Sequence, residues 1–313
     1  MDRQEEIFTR QASYCDGRSP LYAELCRRLA EDPRVDDIAL DLGWDFPLRL
    51  LSGLHYLVLG GDASWDDVDA AFDEHAAFLE RWTTDQDVQT NEVQRSWALL
   101  PAFLTLADDR PFDLLELGPS AGLNLMWDRY RYRYRTGVWG DGELELAGDD
   151  RGSPPAELLA RRVEVVRRRG VDLNPVDVTT DEGARLLQAF VWADQAARLE
   201  RLRRAIDAVR RDPPQLMQGD YVDALPSLLR NRREGAQLVV FQTASTMYLD
   251  KGAAARLQAA LDGAGREEPL AFVTTGRAPD DDGFGLEVHR FPDGGSERLG
   301  VFDFHGEWLD WGR

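Results

Sequence analysis

Residues 113 to 126 carry the strongest chemical signal in the chain, because a short apolar run leads into a turn framed by glycines. The apolar run predicts a strand, and the segment after Gly122 predicts the start of a helix. Glu116 stands just before Gly118, and Gly122 follows four residues after Gly118. Glycines at these positions let the backbone of the loop approach a ligand closely, with a carboxylate beside it. A loop of this kind is typical of nucleotide and nucleoside sites.

Two chemistries fit this loop, and a tight turn without a ligand is the third interpretation. The first is the nucleoside-binding loop of a class I methyltransferase, where S-adenosylmethionine carries no phosphate and an acidic residue helps to hold its amino acid end. The second is a nucleophile elbow, because residues 118–122 also satisfy G-x-S-x-G with Ser120 as the nucleophile. Each motif is short, so residues further along the chain must decide between them.

The methyltransferase interpretation requires polar residues at the ends of later strands, and the sequence supplies them. Asp172 ends a predicted strand, where a carboxylate accepts hydrogen bonds from ribose hydroxyls. Asp220 follows the next predicted strand, where a polar residue would meet the adenine. Gln242 and Thr243 follow a fourth strand, on the acceptor side of the pocket. The predicted cofactor-binding residues are Glu116, Gly118, Ser120, Gly122, Asp172 and Asp220.

The hydrolase interpretation requires an acid and then a histidine after Ser120, and His289 or His305 satisfies that order. Against it, Pro119 precedes the serine, no HGGG-like oxyanion element lies upstream, and Glu116 has no role in such a site. The sequence therefore favours a nucleoside site and leaves the serine nucleophile as an alternative.

Polar residues also begin an otherwise apolar helix near residue 90. Thr90 or Asn91 suits a helix cap, and Glu92 can pair with Arg95 on one helix face. The functional alternative is that this helix closes over the cofactor and contacts the methyl acceptor. His55 lies in an apolar segment, where core packing competes with a place in the same pocket. The predicted substrate-binding residues are Gln242, Thr243, Asn91, Glu92, Arg95 and His55.

The composition describes a globular chain and excludes several classes of protein. The 313 residues, 43% of them hydrophobic, suffice for one large domain or two modest ones. The apolar runs are too short to span a bilayer and the N-terminus lacks a signal-peptide pattern, so we expect a cytoplasmic protein without a membrane partner. A net charge of −20 disfavours nucleic acid as a partner. The basic residues are almost all arginine, with Lys251 the only lysine.

Cysteine and histidine usage disfavours a metal site. The two cysteines lie close together in the N-terminal region without CxxC spacing, and the four histidines show no paired spacing. We therefore expect neither a disulfide framework nor a bound metal ion.

The order of predicted elements indicates an α/β protein in two parts. Residues 1–110 read as a helical N-terminal domain or cap, and residues 111–313 alternate short β-type runs with helical stretches. The last two strands are joined by a short turn at 292–296, which predicts an antiparallel hairpin at the sheet edge. A mostly parallel sheet ending in such a hairpin is the Rossmann-like class I methyltransferase arrangement. The predicted strands are 114–117, 170–173, 215–218, 238–242, 270–274, 286–291 and 298–304.

One stretch interrupts that rhythm, because residues 128–135 alternate between charged side chains and tyrosine rings. A period of two places the tyrosines on one face of a strand, so we predict an inserted β-hairpin at about 128–146, with 137–146 as the partner. Interleaved arginine and tyrosine also suit nucleic acid. In so acidic a chain, a surface hairpin whose arginines pair with nearby carboxylates is favoured.

The sequence also resembles the bacterial and archaeal family DUF2332 over nearly its whole length. That resemblance implies a fold similar to S-adenosylmethionine-dependent methyltransferases, with no substrate attached to it. In the family pattern, histidine often stands at the position of Gln242, which speaks against a catalytic role for that residue. The segments that carry the resemblance are residues 19–22, 54–57, 90–96, 116–118, 120–125, 172–175, 219–220 and 305–309.

These observations lead to one main hypothesis and two alternatives. We expect S-adenosylmethionine to bind at the loop after the first strand, with a methyltransferase acting on a small-molecule acceptor as the stronger form of the hypothesis. Methyl transfer needs in-line alignment more than acid chemistry, which is consistent with the lack of an obvious catalytic dyad. The alternatives are a serine hydrolase using Ser120, and a methyltransferase-like module that binds without catalysis.

Overall fold

The structure is a computed structural model that describes residues 2–89, 92–278, 283–292 and 294–313. The chain contacts divide it into two compact units. Unit 1 contains residues 1–91 and 177–203, and unit 2 contains residues 92–176 and 204–313. The domain boundary near residue 110 stays a prediction.

Unit 1 is helical, as its amphipathic sequence predicts. Ser19 caps α2 by accepting a hydrogen bond from the amide of Tyr22 at 3.2 Å, and Pro20 occupies the first turn. The continuously apolar segment after Phe46 forms the buried helix α4. Its helices are α1 (Arg3–Cys15), α2 (Pro20–Leu29), α3 (Arg34–Ile38), α4 (Phe46–Gly60), α5 (Val68–Asp85) and α8 (Asp181–Ala189), and α9 (Ala196–Arg211) begins there.

Unit 2 is built on a nine-stranded sheet with the order β5-β12-β11-β10-β9-β8-β1-β6-β7. The strands from β9 to β7 in that order are parallel to one another, whereas β10 is antiparallel to both β9 and β11. The chain is therefore an α/β protein with a mostly parallel sheet. The sheet contains β1 (Phe112–Leu117), β5 (Asp149–Gly152), β6 (Val165–Asp172), β7 (Gln215–Gln218), β8 (Gln237–Phe241), β9 (Leu270–Arg277), β10 (Phe284–Phe291), β11 (Gly295–Phe302) and β12 (Trp308–Trp311).

All seven predicted strands occur, but the predicted edge of the sheet is wrong. The β10–β11 hairpin forms as expected, yet β12 pairs with β11 and β5 pairs with β12 beyond it. The sequence of β5, Asp-Asp-Arg-Gly, has none of the residues that favour strands. Its pairing depends on main-chain hydrogen bonds to β12, which no local pattern reveals.

Helices cover both faces of the sheet around β1 and β8. On one face, α10 (Tyr221–Arg230) and α11 (Lys251–Glu267) pack on apolar side chains of β1 and β8. On the other face lie α6 (Arg95–Thr105) and the 3-10 segment Asn124–Arg129. There the ring of Phe103 stacks on Trp127 with centroids 4.6 Å apart and meets Phe241 of β8 edge-on. Unit 2 also contains the short helix α7 (Ala156–Leu159).

The alternating stretch forms a small sheet with the order β3-β2-β4. Its strands are β2 (Arg131–Tyr134), β3 (Gly137–Trp139) and β4 (Glu145–Ala147), so the single predicted partner strand is divided in two. Tyr132 and Tyr134 of β2 are buried. Arg131 and Arg133 face outwards, and both pair with Glu145. The prediction that these arginines pair with carboxylates is confirmed.

No helix in the described parts of the chain is long and apolar enough to cross a membrane. Within the same ranges, no three His, Cys, Asp or Glu side chains are grouped so that they could hold a metal ion.

Candidate functional site

The loop after β1 contains three residues with left-handed backbone conformations, which make the chain turn sharply. Gly118 has φ +73°, Ser120 has φ +49° and Gly122 has φ +74°. A side chain at Gly122 is excluded by packing as well, because a Cβ there would lie 2.8 Å from Cγ of Pro214. We call residues 118–122 the glycine loop.

Asp172 lies at the end of β6 and ties that strand to the glycine loop. Its Oδ2 accepts a hydrogen bond from the amide of Ser120 at 2.8 Å, and its Oδ1 accepts one from the amide of Asn174 at 2.9 Å. The side chain is half-buried. Because each carboxylate oxygen has two acceptor positions, Asp172 can still accept hydrogen bonds from a ligand. The structure therefore brings together two of the predicted cofactor residues, Ser120 and Asp172.

Glu116 is buried at the carboxyl end of β1. The residue is 1% exposed, and its Oε2 has no hydrogen-bond partner among the residues that the structure describes. Burial raises the pKa of Glu116 well above its usual value, the charge of Asp172 raises it further, and Arg95 lowers it. A buried carboxyl oxygen without a hydrogen-bond partner is costly to the fold, and such groups concentrate at functional sites.

Arg95 comes from the first turn of α6 and joins separate strand ends. Its Nε donates to the carbonyl of Phe304 at 2.7 Å, and its Nη1 donates to the carbonyl of Thr243 at 3.3 Å. The guanidinium also lies over the Phe304 ring, 4.2 Å from the centroid. Nearby, Oε1 of Glu92 accepts a hydrogen bond from the amide of Gln94. Thr90 and Asn91 lie outside the described residues.

Gln242, predicted to contact the acceptor, has its side-chain amide bonded to β9. Its Nε2 donates to Oγ1 of Thr274 at 2.6 Å and to the carbonyl of Thr275 at 2.7 Å, and its side chain is fully buried. These contacts fix the end of β8 to β9. Thr243 is half-buried and presents its carbonyl to Arg95.

Asp220 caps α10, which is the ordinary role of an aspartate at a helix start. Its Oδ1 accepts hydrogen bonds from the amides of Val222 and Asp223. The neighbouring strand ends are joined by Gln218, whose Nε2 donates to the carbonyl of Leu173 at 3.1 Å. The Leu173 side chain is 62% exposed at this edge. Leu173 was not among the predicted site residues, although it directly follows Asp172, the residue predicted to bind ribose.

His55 belongs to unit 1 and is buried there. Its Nδ1 lies 3.3 Å from the carbonyl of Ala189, and its ring packs near Trp65. Burial lowers the pKa of His55 to about 4, so the ring is neutral at pH 7. All of these contacts are with residues of unit 1.

His289 lies away from the strand that carries Ser120. It lies in β10 opposite Phe272 of β9. Phe272 is paired with Val240 of β8, and Val240 is paired with Leu115 of β1. His289 is therefore three strand spacings, or about 14 Å, from β1. Ser120 lies five residues beyond Leu115 along the chain. His305, in the loop after β11, has Nδ1 4.0 Å from Asp303.

Ser245 connects the end of β8 to the loop after β1, and no local pattern in the sequence predicts this contact. Its Oγ donates to the carbonyl of Leu117 at 2.6 Å, directly before the glycine loop. Its own carbonyl accepts a hydrogen bond from the hydroxyl of Tyr221 at 3.2 Å. The two loops are distant in sequence and meet only because β1 and β8 are neighbours in the sheet.

A family model described as an uncharacterized protein conserved in bacteria, DUF2332, matches residues 5–311. The chain belongs to the DUF2332 family. The DUF2332 match covers both units, including the glycine loop and α6. Searches of curated proteins and of solved structures found no match.

Proposed function

We propose that unit 2 binds S-adenosylmethionine at the carboxyl edge of its sheet and transfers the methyl group to a small molecule. The chain runs from β1 outwards through β6 and β7, and then returns to β8 on the other side of β1. In open α/β sheets, ligands bind outside the carboxyl ends of the strands at the point where the strand order reverses in this way. That point lies between β1 and β8, where Glu116 and the glycine loop are placed.

The buried carboxyl of Glu116 is the observation that carries the proposal. A buried carboxyl with an unsatisfied Oε2, near the charge of Asp172 and offset in part by Arg95, is stabilised by a further cationic group placed beside it. S-adenosylmethionine carries a sulfonium, an ammonium group and a carboxylate, so its net charge is positive, and it has no phosphate. A nucleotide with phosphates would instead add negative charge next to two carboxyl groups, which is unfavourable.

The other predicted residues have places that suit the rest of the cofactor. Asp172 has acceptor positions left for the ribose hydroxyls, and Asp220 stands after the next strand for the adenine. Leu173 directly follows Asp172 at the end of β6. Its exposed side chain offers an apolar surface for a planar base. The Rossmann-like methyltransferase fold is part of this proposal, and the parallel order β7-β6-β1-β8-β9 supports it.

The residues around the site are suited to positioning the methyl acceptor rather than to acid or base catalysis. S-adenosylmethionine supplies a methyl group on a sulfonium, which is already activated for transfer. Arg95, held by two carbonyls and the Phe304 ring, is rigid enough to orient an acceptor. Holding the reacting groups in line accounts for a large part of the rate in such reactions.

One observation favours the serine hydrolase as a second candidate. Ser120 adopts φ +49°, which is rare for a residue other than glycine and is found at strained nucleophile turns. Against it, His289 lies three strands from β1. A fluorophosphonate probe separates the two functions, because only an activated serine reacts with it. Labelling of the wild type that is absent in Ser120→Ala would support the hydrolase.

Thermal unfolding with added S-adenosylmethionine or S-adenosylhomocysteine tests the proposal directly. A ligand at about one hundred times its dissociation constant stabilises a protein by roughly 2.7 kcal/mol, which raises the melting temperature by a few degrees. Asp172→Ala should remove the shift, because the ribose loses its acceptor. Asp177→Ala is the matched control, since Asp177 also accepts a hydrogen bond from the amide two residues on.

The outcomes of this experiment are distinct. A shift in the wild type and in Asp177→Ala, but not in Asp172→Ala, supports the cofactor site. Equal shifts in all three proteins would place the ligand elsewhere. With no shift for either ligand, the cofactor proposal fails and the Ser120 probe decides the next step. Binding without methylation of any extract component would indicate a non-catalytic module.

A further inference from the structure

The segment after β8 covers the open side of Gly118. A Cβ added to Gly118 would lie 2.6 Å from Cβ of Ser245 and 3.2 Å from its Oγ. The hydrogen bond of Ser245 to the carbonyl of Leu117, at 2.6 Å, holds this position. The space that glycine leaves for close approach is therefore filled by Ser245. We call residues 244–249 the cover segment.

The cover segment begins with an unfavourable backbone conformation. Ala244 has φ +76°, in the left-handed region where a Cβ is disfavoured. The surrounding contacts hold it there, because the amide of Ala244 donates to Oγ1 of Thr275 at 3.1 Å. Strain of this kind persists only where neighbouring structure enforces it, and it is common at switch segments. Gln242, anchored on β9, provides a fixed base for the segment.

The turn in the middle of the cover segment contributes little to the core. None of the residues of its 3-10 turn, Ser245–Tyr248, is buried. Met247 is 42% exposed and Tyr248 is 84% exposed, so two large side chains gain little from packing here. Segments with few buried contacts open at low free-energy cost. The segment is thus strained at Ala244, anchored at its other end by Leu249 against the core, and exposed along the turn between these two residues.

We propose that the cover segment is a gate over the glycine loop, closed by Ser245 and opened when a ligand approaches Gly118. The closing contact is independent of the ligand's identity, and the ligand that opens the gate rests on the proposed function. Ser245 and Tyr221 keep the gate shut through the Leu117 carbonyl and the Ser245 carbonyl. The apolar side chains of Met247 and Tyr248 are available to contact the ligand when the segment moves.

The only lysine in the chain provides a built-in probe of this gate. Lys251 is the first residue of α11, directly after the cover segment. Lysyl endopeptidase therefore cuts the chain once, into residues 1–251 and 252–313. A protease needs several extended residues on each side of the bond, so the cut requires the end of the cover segment and the start of α11 to open. The cleavage rate of the native protein thus follows the population of the open segment.

Removing the closing hydrogen bond should speed this cleavage without any ligand. Losing one such bond shifts an equilibrium by about five-fold, so Ser245→Ala should be cut about five-fold faster than the wild type. Tyr221→Phe, which removes the second contact, should act in the same direction. Ser227→Ala, an exposed serine on α10, is the matched control and should be cut at the wild-type rate. Circular dichroism checks that each variant is folded.

Association kinetics of S-adenosylhomocysteine then connect the gate to the ligand. If the gate limits entry, Ser245→Ala should bind this ligand about five-fold faster than the wild type, because its open population is larger. Unchanged cleavage in both Ser245→Ala and Tyr221→Phe would overturn the gate, whatever the ligand does. Faster cleavage without any S-adenosylhomocysteine binding would keep the gate and reject the cofactor. Ligand binding at the wild-type rate in a faster-cut variant would show that the segment opens but does not control entry.

Discussion

The two carboxyl groups of β1 occupy opposite ends of one strand and have opposite surroundings. Asp113 and Glu116 are both buried, three residues apart. The carboxylate of Asp113 accepts hydrogen bonds from the guanidinium groups of Arg167 and Arg169, and from the amide of Arg233 at 3.0 Å. Glu116 has a fully buried oxygen without a hydrogen-bond partner in the described chain.

The contrast separates a structural charge from a group available for binding. Asp113 lies towards the amino end of β1, where parallel strands rarely bind ligands, and its acceptor positions are used within the protein. Glu116 lies at the carboxyl end, where the strand order reverses and ligands bind in α/β sheets. Burying an acid in each place is unfavourable unless partners compensate it. For Asp113 the partners are protein groups, and for Glu116 we propose that the ligand provides them.

The largest expected effect comes from removing the satisfied carboxylate. Asp113→Ala leaves Arg167 and Arg169 partly buried without their partner, so the free energy of unfolding should fall by about 3–5 kcal/mol. Urea denaturation measures this change. Asp108→Ala, which breaks an exposed pair with Arg110, is the control and should cost less than about 1 kcal/mol. Similar losses in the two variants would remove the structural role assigned to Asp113.

Replacing Glu116 should have a smaller effect on stability, and one that depends on pH. Burial, and then Asp172, raise the pKa of Glu116 above its ordinary value of 4.5, whereas Arg95 lowers it. Between that value and the raised pKa, the native chain holds a proton that the unfolded chain has released. The stability that this proton provides is complete below pH 4.5 and is lost as the pH rises through the folded pKa.

Glu116→Gln cannot lose that proton, so its free energy of unfolding should fall less with rising pH than that of the wild type. The difference between the two proteins should grow by up to about 1.4 kcal/mol for each pH unit in this window. Urea denaturation at a series of pH values measures it. Glu116→Asp keeps a titrating carboxyl group and should retain the wild-type trend. Parallel pH profiles for wild type and Glu116→Gln would mean that Glu116 is as well compensated as Asp113.

The same strand shows how far sequence reasoning extends. The apolar run of β1, the glycines after it and the acid at the end of β6 all have local signals, so the α/β class and the meeting of Ser120 with Asp172 were predictable. The partners of Asp113 were not, because a basic run in β6 shows charge without showing which strand face or neighbour it meets. Backbone conformation at Ala244 likewise has no residue signal, since alanine rarely adopts a left-handed φ.

Errors in the predicted fold arose where pairing depends on distant main chain. The strands β5 and β12 extend the sheet beyond the expected edge, although β5 consists of polar residues and glycine. The side-chain amide of Gln242, which follows β8, satisfies groups on β9, and its predicted contact with a substrate stays a prediction. A polar residue at a strand end has two directions available, and only the neighbouring strand decides which one is used.

The smallest expected effect comes from an exposed ion pair, and it sets the scale for the two buried acids. Arg133 of β2 contacts Glu145 at 2.7 Å, and its side chain is 62% exposed. Exposed pairs contribute little because water and salt screen them, so Arg133→Ala should change the free energy of unfolding by less than about 0.5 kcal/mol. The same urea assay measures it, with Arg131→Ala as the matched variant on the same carboxylate. If either substitution cost as much as Asp113→Ala, charge pairing in general would explain the loss, and the contrast between the two ends of β1 would no longer depend on burial.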